Sequence, residues 1–222
     1  MLFLAVFCGF LAENQREHIV EHRREIKYAQ SLLQDLEADT ANLEYYTKKR
    51  ATKRVWMDSL TMLLSTGKHK EKGNDTYYYG RRVYDASPFV STDGTMQQLK
   101  NAGNLRLIKN EKLVKAILEY DINVKDMKEW DEADLKVRAS FREIGGAIFK
   151  ADDFYHLVDT AMNFIRPTNN PQLITDDMAT INKVAFQVQY MSVITLANGR
   201  RAVELKAKAI QLIKTIKEEY HL

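Results

Sequence analysis

Hydrophobic and polar positions follow a helical period along most of the chain, and the longest such stretch lies near its start. Residues 13–65 contain neither Gly nor Pro, so one helix can run through them without a break. Apolar residues recur there every seven positions in two lines, the a/d pattern of a coiled coil. The lines are Ile19, Ile26, Leu33 and Thr40, and Ala29, Leu36 and Leu43. We predict a stalk helix over 13–66, coiled-coil-like in its first part. The predicted contacts to a second copy are Ile19, Ile26, Leu33, Leu36 and Leu43.

Beyond residue 66 the periodic segments are shorter, and loop-forming residues separate them. The stretch 67–82 has two internal glycines, five basic residues and three tyrosines, which predicts a loop. Asn110 is a good N-cap for a helix whose apolar face runs from Leu113 to Met127. Trp130 is expected to extend that buried face. Gly103 suits the left-handed position that closes a short helix before it.

The C-terminal part predicts further helices. One apolar face runs from Phe154 to Ile165, and the following "RPTNNP", residues 166–171, predicts a loop. A helix from the capped start near Thr175 to Asn198 and a last helix after Gly199 complete the pattern. The expected fold class is therefore all-α, with a long N-terminal membrane-proximal helix that runs into a bundle of about six helices. Residues 67–222 form the predicted body, packed on the end of the stalk helix.

The start of the chain is apolar. Residues 1–12 carry no charge, and at about 1.5 Å per residue they cover roughly half of a bilayer core of about 30 Å. They also lack the basic region of a cleavable signal peptide. We interpret 1–12 as a partial transmembrane anchor that begins upstream of Met1; the alternative is a buried helix of a soluble protein. Arg16, Arg23, Arg24 and Lys27 favour a cytoplasmic body, but glutamates interleave with them and leave the side open.

Charge and cysteine content exclude several classes of protein. The formal charge of +3 is too small to indicate a nucleic-acid binder. Basic residues beside the tyrosines of 67–82 could bind single-stranded nucleic acid or anionic headgroups, but a solvated loop with packed tyrosines is the favoured interpretation. Cys8 is the single cysteine, so an intrachain disulfide and a cysteine-based metal cluster are impossible. We expect no nucleic-acid partner.

One short motif indicates chemistry. The segment "HIVEH" matches the H-x-x-E-H pattern, in which two histidines bind zinc and a glutamate activates the metal-bound water. His18, Glu21 and His22 are the candidate residues. They sit just past the apolar start and on the coiled-coil helix, where no other element supplies the walls of a cleft. A charged helix surface is the favoured interpretation, because five-residue motifs match by chance.

Other catalytic patterns do not occur. The sequence has no G-x-S-x-G elbow, no Walker-type loop and no G-x-G-x-x-G. The acidic pairs Asp152-Asp153 and Asp176-Asp177 fit helix N-termini, which attract negative charge. We therefore predict no catalytic residue, no cofactor and no bound metal.

Four stretches resemble a family of uncharacterised membrane-anchored proteins from Bacteroidota. They are "FLAVFCGFLAENQREH" (3–18), "SLLQDLEADT" (31–40), "QQLKNAGNLRLIKN" (97–110) and "LIKTIKEEYHL" (212–222). The resemblance implies an N-terminal transmembrane helix, a helical body, and a place in the bacterial inner membrane with the body in the periplasm. It implies no established activity.

These observations favour a non-enzymatic, single-pass membrane protein that acts by protein–protein interaction in the bacterial envelope. Its expected partners are the membrane, a second copy bound through the stalk, and an envelope protein. The alternatives are a small-molecule sensor with a ligand between its helices and, third, a zinc hydrolase that uses the H-x-x-E-H segment.

Overall fold

A computed structural model describes residues 2–222, with the backbone alone for residues 2, 4 and 5. The α-helices are α1 (Leu2–Ser65), α2 (Gly73–Arg82), α3 (Gly94–Asn101), α4 (Glu111–Gly145), α5 (Ala151–Tyr155) and α6 (Met178–Tyr220). A short 3₁₀ helix spans Asn104–Leu107. The described residues contain no β-strand and only an isolated bridge between Val158 and Phe164. The protein is therefore all-α with six helices, as the sequence predicts.

The long first helix forms as predicted, but its buried face differs from the prediction by one position. From Glu25 onward a line of buried residues alternates in steps of four and three: 25, 29, 32, 36, 39, 43, 46, 50, 53, 57, 60 and 64. Leu63 is buried beside the end of this line. The line through Ala29, Leu36 and Leu43 is as predicted. The other line passes through Glu25, Leu32 and Asp39, next to the predicted Ile26, Leu33 and Thr40. The predicted line follows mainly apolar residues, whereas the fold buries the charged Glu25 and Asp39, which have hydrogen-bond partners.

Helices α4 and α6 carry the same seven-residue repeat. In α4 the repeat positions 113, 117, 120, 124, 127, 131, 134, 138, 141 and 145 are all buried, and Asp121 is buried beside them. In α6 the repeat positions 184, 188, 191, 195, 198, 202, 205, 209, 212 and 216 are all buried, and residues 181, 185 and 192 are buried as well. The repeat continues through Gly199, so the predicted break there is wrong and α6 is one helix. Packing of this continuous face outweighs the roughly 1 kcal/mol by which an interior glycine weakens a helix.

The chain forms two compact units, and all three long helices contribute to both. Unit 1 contains the chain up to Asn42, Val90–Lys125 and Glu204–Leu222, and unit 2 contains Leu43–Phe89 and Asp126–Val203. The predicted division between stalk and body at residue 66 differs from the division into units, because α1 is shared between both units. Residues of α1 from Glu25 onward are thus part of the folded body.

In unit 1 the hydrogen bonds give the direction of the helices. Asp39 of α1 accepts from Tyr120 of α4, and Glu25 accepts from the Lys109 amide just before α4, so these two helices run parallel. The Tyr220 hydroxyl of α6 donates to Glu25 at 2.9 Å, and the earlier Lys217 pairs with the later Glu37, so α6 runs antiparallel to α1. Asn110 caps α4 as predicted, accepting the amides of residues 112 and 113. Gly103 adopts the predicted left-handed conformation, with φ of 65°.

Unit 2 has an extensive apolar core. Parts of α1, α4 and α6 enclose Met57, Leu60, Phe141, Val188 and Met191, all fully buried. The short elements α2 and α5 cover the end of this core. A buried side chain on each helix every third or fourth residue is the packing typical of coiled-coil helices.

Two of the predicted segments fold differently. Residues 73–82 of the predicted loop form α2, because Tyr77 is buried against Phe149 and its hydroxyl donates to the Gln172 carbonyl. The predicted helix over 154–165 ends at Tyr155. Asp159 there accepts the amides of Ala161 and Asn163, which closes a turn in place of the helix.

Candidate functional site

The start of α1 is an apolar helix with nothing packed against it. Every side chain described between residues 3 and 19 is exposed. Phe3 is 82% exposed and Phe10 is 70% exposed, and Val6, Phe7 and Leu11 are exposed as well. The first charged pair is Arg16 with Glu13, whose Nε–Oε2 distance is 3.0 Å. Among the described residues, no helix has an apolar stretch long enough to cross a bilayer.

The H-x-x-E-H residues lie on the surface of α1. His18 and His22 are exposed, Glu21 is half-buried, and His22 Nδ1 lies 3.2 Å from the Glu25 carboxylate. Glu25 is itself held by Tyr220 and the Lys109 amide. Within residues 2–222, no group of three or more His, Cys, Asp or Glu side chains is placed to hold a metal ion.

The residues predicted to contact a second copy fall into three environments. Leu36 and Leu43 are fully buried in the chain's own fold, so they contact intramolecular neighbours. Ile26 and Leu33 are half-buried beside them. Ile19 is the most exposed of the five, at 46%. Self-association through the stalk stays a prediction, and Ile19, Ile26 and Leu33 keep surface that is accessible to a second copy.

A buried ionic cluster, defined as Arg50, Lys53, Asp131, Asp134 and Arg138, occupies the repeat positions of α1 and α4 in unit 2. All five side chains are almost completely buried. Arg50 bridges the two carboxylates: its Nη2 donates to Asp131 Oδ1 at 2.7 Å and its Nη1 donates to Asp134. Arg138 Nε donates to Asp134 at 3.0 Å. Buried charges are tolerated only when they are paired in this way.

The buried ionic cluster also fixes the segment that follows α2. Arg138 Nη1 donates to the Val83 carbonyl at 2.8 Å, and the Phe89 amide donates to Asp131 Oδ2 at 2.7 Å. Tyr46 completes the set, with its hydroxyl 2.6 Å from Asp131 Oδ1. Residues 83–89 have no regular secondary structure, so these charges supply hydrogen bonds that a helix or sheet would otherwise provide.

Lys53 is the member of the cluster with the weakest pairing. Its Nζ lies 3.3 Å from Asp85, a half-exposed carboxylate, while Arg50 and Arg138 repel it. Burial, with that repulsion, lowers the pKa of Lys53 to about 8. Burial also raises the pKa of Tyr46 above its ordinary value, and the Asp131 carboxylate adds to that rise. The arrangement is enclosed and self-paired, which is typical of a structural network.

Sequence reasoning missed this cluster, although a signal for it exists. The seven-residue line through Leu32, Tyr46 and Leu60 indicates the buried face, with Asp39 and Lys53 at the same spacing between them. A search that allows charged residues at repeat positions, with opposite charges on another repeat helix, would find it.

Arginine side chains stack on aromatic rings in and around α2. The Arg82 guanidinium lies 3.8 Å from the centre of the Trp56 ring. Arg166, from the loop at 166–171, lies 4.5 Å from the Tyr78 ring and pairs with Asp75. Stacked arginines of this kind stabilise a surface by roughly 0.5–2 kcal/mol each. Trp130, predicted to be buried, is 40% exposed, and Arg201 covers its ring at 3.7 Å.

Helix α6 leaves an apolar face uncovered in unit 2. We call this the α6 face and define it as Phe186, Tyr190 and Val193, which follow at spacings of four and three. Phe186 is 67% exposed, and the other two are about half exposed. Between Asp177 and Glu204 the sequence has no acidic residue, and Lys183 and Arg200 are exposed at either end of the face.

Comparison with known proteins yields no relative: no family model matches the chain, and neither a curated protein nor a solved structure is detectably similar to it. The geometry described above therefore carries the functional argument.

Proposed function

We propose that the protein is held at a membrane by the start of α1 and acts there by protein–protein interaction through its helical body. One observation supports this proposal most directly. The apolar start of α1 is exposed on every side, and it continues without a break into a buried part of the same helix. The resemblance to the Bacteroidota proteins makes the bacterial inner membrane the proposed location, with the body in the periplasm.

We call this attachment of the start of α1 to the membrane the tether. The free energy of burying its apolar side chains supports it. Each large side chain there contributes on the order of 1.5–3 kcal/mol when it leaves water for an apolar phase. Phe3, Phe7 and Phe10 are the largest described side chains there, and all three are exposed. An apolar helix of this kind gains most by entering a lipid phase.

The α6 face supports the interaction. Large aromatic residues that remain exposed beside polar residues mark contact surfaces. The face has an apolar centre with Lys183 and Arg200 at its ends. We propose that it binds an amphipathic helix of a protein partner whose apolar stripe is flanked by acidic residues. Charge repulsion disfavours the same face of a second copy.

The tether is tested by flotation of the full chain with vesicles of phosphatidylcholine, which carry no net charge. The Phe7→Asp/Phe10→Asp double variant should bind at least about tenfold more weakly. Moving a carboxylate from water into the lipid phase costs free energy, whereas moving a phenyl ring there gains it. Val90→Asp is the matched control, since Val90 is equally exposed but lies outside the apolar start. A double variant that floats as well as the original chain would refute the tether.

The partner is tested by photo-crosslinking in native membranes from position 190, with position 214 on the same helix as the control. We expect crosslinks from position 190 to a peptide rich in apolar and acidic residues. Phe186→Lys should lower their yield about tenfold, as expected for an interface anchor. Crosslinks to this chain itself, or equal crosslinks from both positions, would contradict the proposed partner.

A further inference from the structure

An open cavity of about 260 Å³ lies in unit 1 beside α1, with further walls from α3 and the 3₁₀ helix. Its volume is that of about eight water molecules. Its lining consists of Arg24, Lys27, Tyr28, Ser31, Gln98 and Asn104. All six side chains are polar, two are cationic and none is acidic. The lining thus has no carboxylate, although the chain has 30 acidic residues.

The hydrogen bonds around the cavity leave donors available. Asn104 Nδ2 donates to the Tyr28 hydroxyl oxygen at 2.7 Å. With that lone pair occupied, the Tyr28 O–H proton is available to an acceptor in the cavity. The Asn104 amide is held at the first residue of the 3₁₀ helix, directly after the left-handed Gly103. The turn at Gly103 thus fixes one wall of the cavity.

The two cations of the lining are not neutralised. In the part of the chain that the structure describes, neither Arg24 nor Lys27 forms an ion pair, whereas nearby cations do. Arg16 pairs with Glu13, and Lys100 pairs with Asp121. Arg24 and Lys27 are three residues apart on α1, so both lie on the same side of the helix. Their positive charge therefore acts on whatever enters the cavity.

We propose that this cavity binds a small phosphate ester that carries hydroxyl groups. Arg24 donates to the phosphate as a planar fork and Lys27 supplies a point charge. Tyr28, Ser31, Gln98 and Asn104 hydrogen-bond the remaining oxygens. Phosphorylated metabolites and phospholipid headgroups share this chemistry. Whether the bound phosphate ester is a soluble metabolite or a lipid headgroup is therefore a separate question.

Distance favours a soluble ligand over a lipid headgroup. Arg24 lies 13 residues past Leu11, the last large side chain of the apolar start. At about 1.5 Å per residue this is roughly 20 Å along α1. The headgroup layer extends only about 5–8 Å beyond the hydrocarbon core. For a helix along the membrane normal, the cavity lies beyond that layer. The choice of a soluble ligand rests on the proposed tether, whereas the binding site itself does not.

The test is calorimetric titration of the full chain, in detergent micelles at low ionic strength, with glycerol phosphate as the probe. Arg24→Gln and Lys27→Gln should each weaken binding by about tenfold or more, because each removes a charge-assisted hydrogen bond. Arg23→Gln is the matched control. Arg23 is exposed, is adjacent on the same helix and does not line the cavity. Its substitution should leave binding within about twofold.

A second titration decides the source of the ligand. Vesicles of phosphatidylcholine with and without phosphatidylglycerol are added to the same variants. If glycerol phosphate binds and the Arg24 and Lys27 variants lose it, the site is supported whether or not the chain binds vesicles. Binding to phosphatidylglycerol alone would overturn the soluble source. Absence of binding, equal binding of glycerol, or an equal loss in Arg23→Gln would overturn the site.

Discussion

Replacing Asp134 with alanine should lower the free energy of unfolding by about 3–5 kcal/mol. Asp134 Oδ2 accepts from both Arg50 and Arg138, and all three side chains are buried. Its removal leaves Arg138 in the core without a carboxylate partner. The loss is measured from urea unfolding curves of the full chain, as a shift of the midpoint at constant slope.

Two comparison variants show whether burial causes that loss. Lys48→Ala removes an exposed pair with Glu44 on the same helix and should cost no more than about 0.5 kcal/mol. Asp134→Asn keeps the shape and one acceptor oxygen, so its cost should lie between the two. If Asp134→Ala cost as little as Lys48→Ala, the buried ionic cluster would not be the stabilising network inferred from its geometry.

Stability should rise with pH between pH 7 and pH 9, by about 1 kcal/mol, and Lys53 should be the cause. Its pKa falls from 10.5 in the unfolded chain to about 8 in the folded one. Between these values the unfolded state binds more protons than the folded state, so a rise in pH favours folding. Above about pH 10 the trend should reverse, since burial raises the pKa of Tyr46 and Tyr120 and only the unfolded tyrosines ionise there.

Lys53→Met tests the assignment by removing the titrating group while filling a similar volume. The variant should lose the rise between pH 7 and pH 9 and be more stable than the original chain at pH 7. Asp85 is left half-exposed and hydrated, so it tolerates the loss of its partner. The midpoints of urea unfolding at pH 7 and pH 9, compared between the variant and the original chain, measure both effects. An unchanged pH dependence in Lys53→Met would assign the effect to another group.

Local sequence signals predict where the long helices lie, and the reason is physical. The absence of Gly and Pro over 13–65 permits one helix, and Asn110 caps α4 by bonding amides within its own turn. Both depend on neighbouring residues alone. The predicted helix break at Gly199 and the predicted loop over 73–82 are wrong. At both places, burial of side chains against residues distant in sequence outweighs the local preference of glycine for loops. Tyr77, for example, depends on Phe149 and Gln172.

The candidate sites also differ in how far the sequence predicts them. The apolar start of α1 can be recognised directly from the sequence, and its described side chains are exposed. The buried ionic cluster and the polar cavity could not be predicted so easily, because both join residues that are far apart in sequence. Asp134 lies 84 positions after Arg50. Asn104 lies 76 positions after Tyr28. No short motif marks such pairs.

The contact between Glu25 and Tyr220 has a consequence for how the protein is made. The two residues are 195 positions apart, and Tyr220 is the last residue of α6. A ribosome adding about 5–20 residues per second takes roughly 10–40 s to travel that distance. Arg50 can meet its α4 partner Asp134 after 84 further residues, so α4 is available to cover part of α1 early. The contact between Glu25 and Tyr220 waits for the whole interval, and unit 1 is therefore completed only when the last turn of α6 has been made.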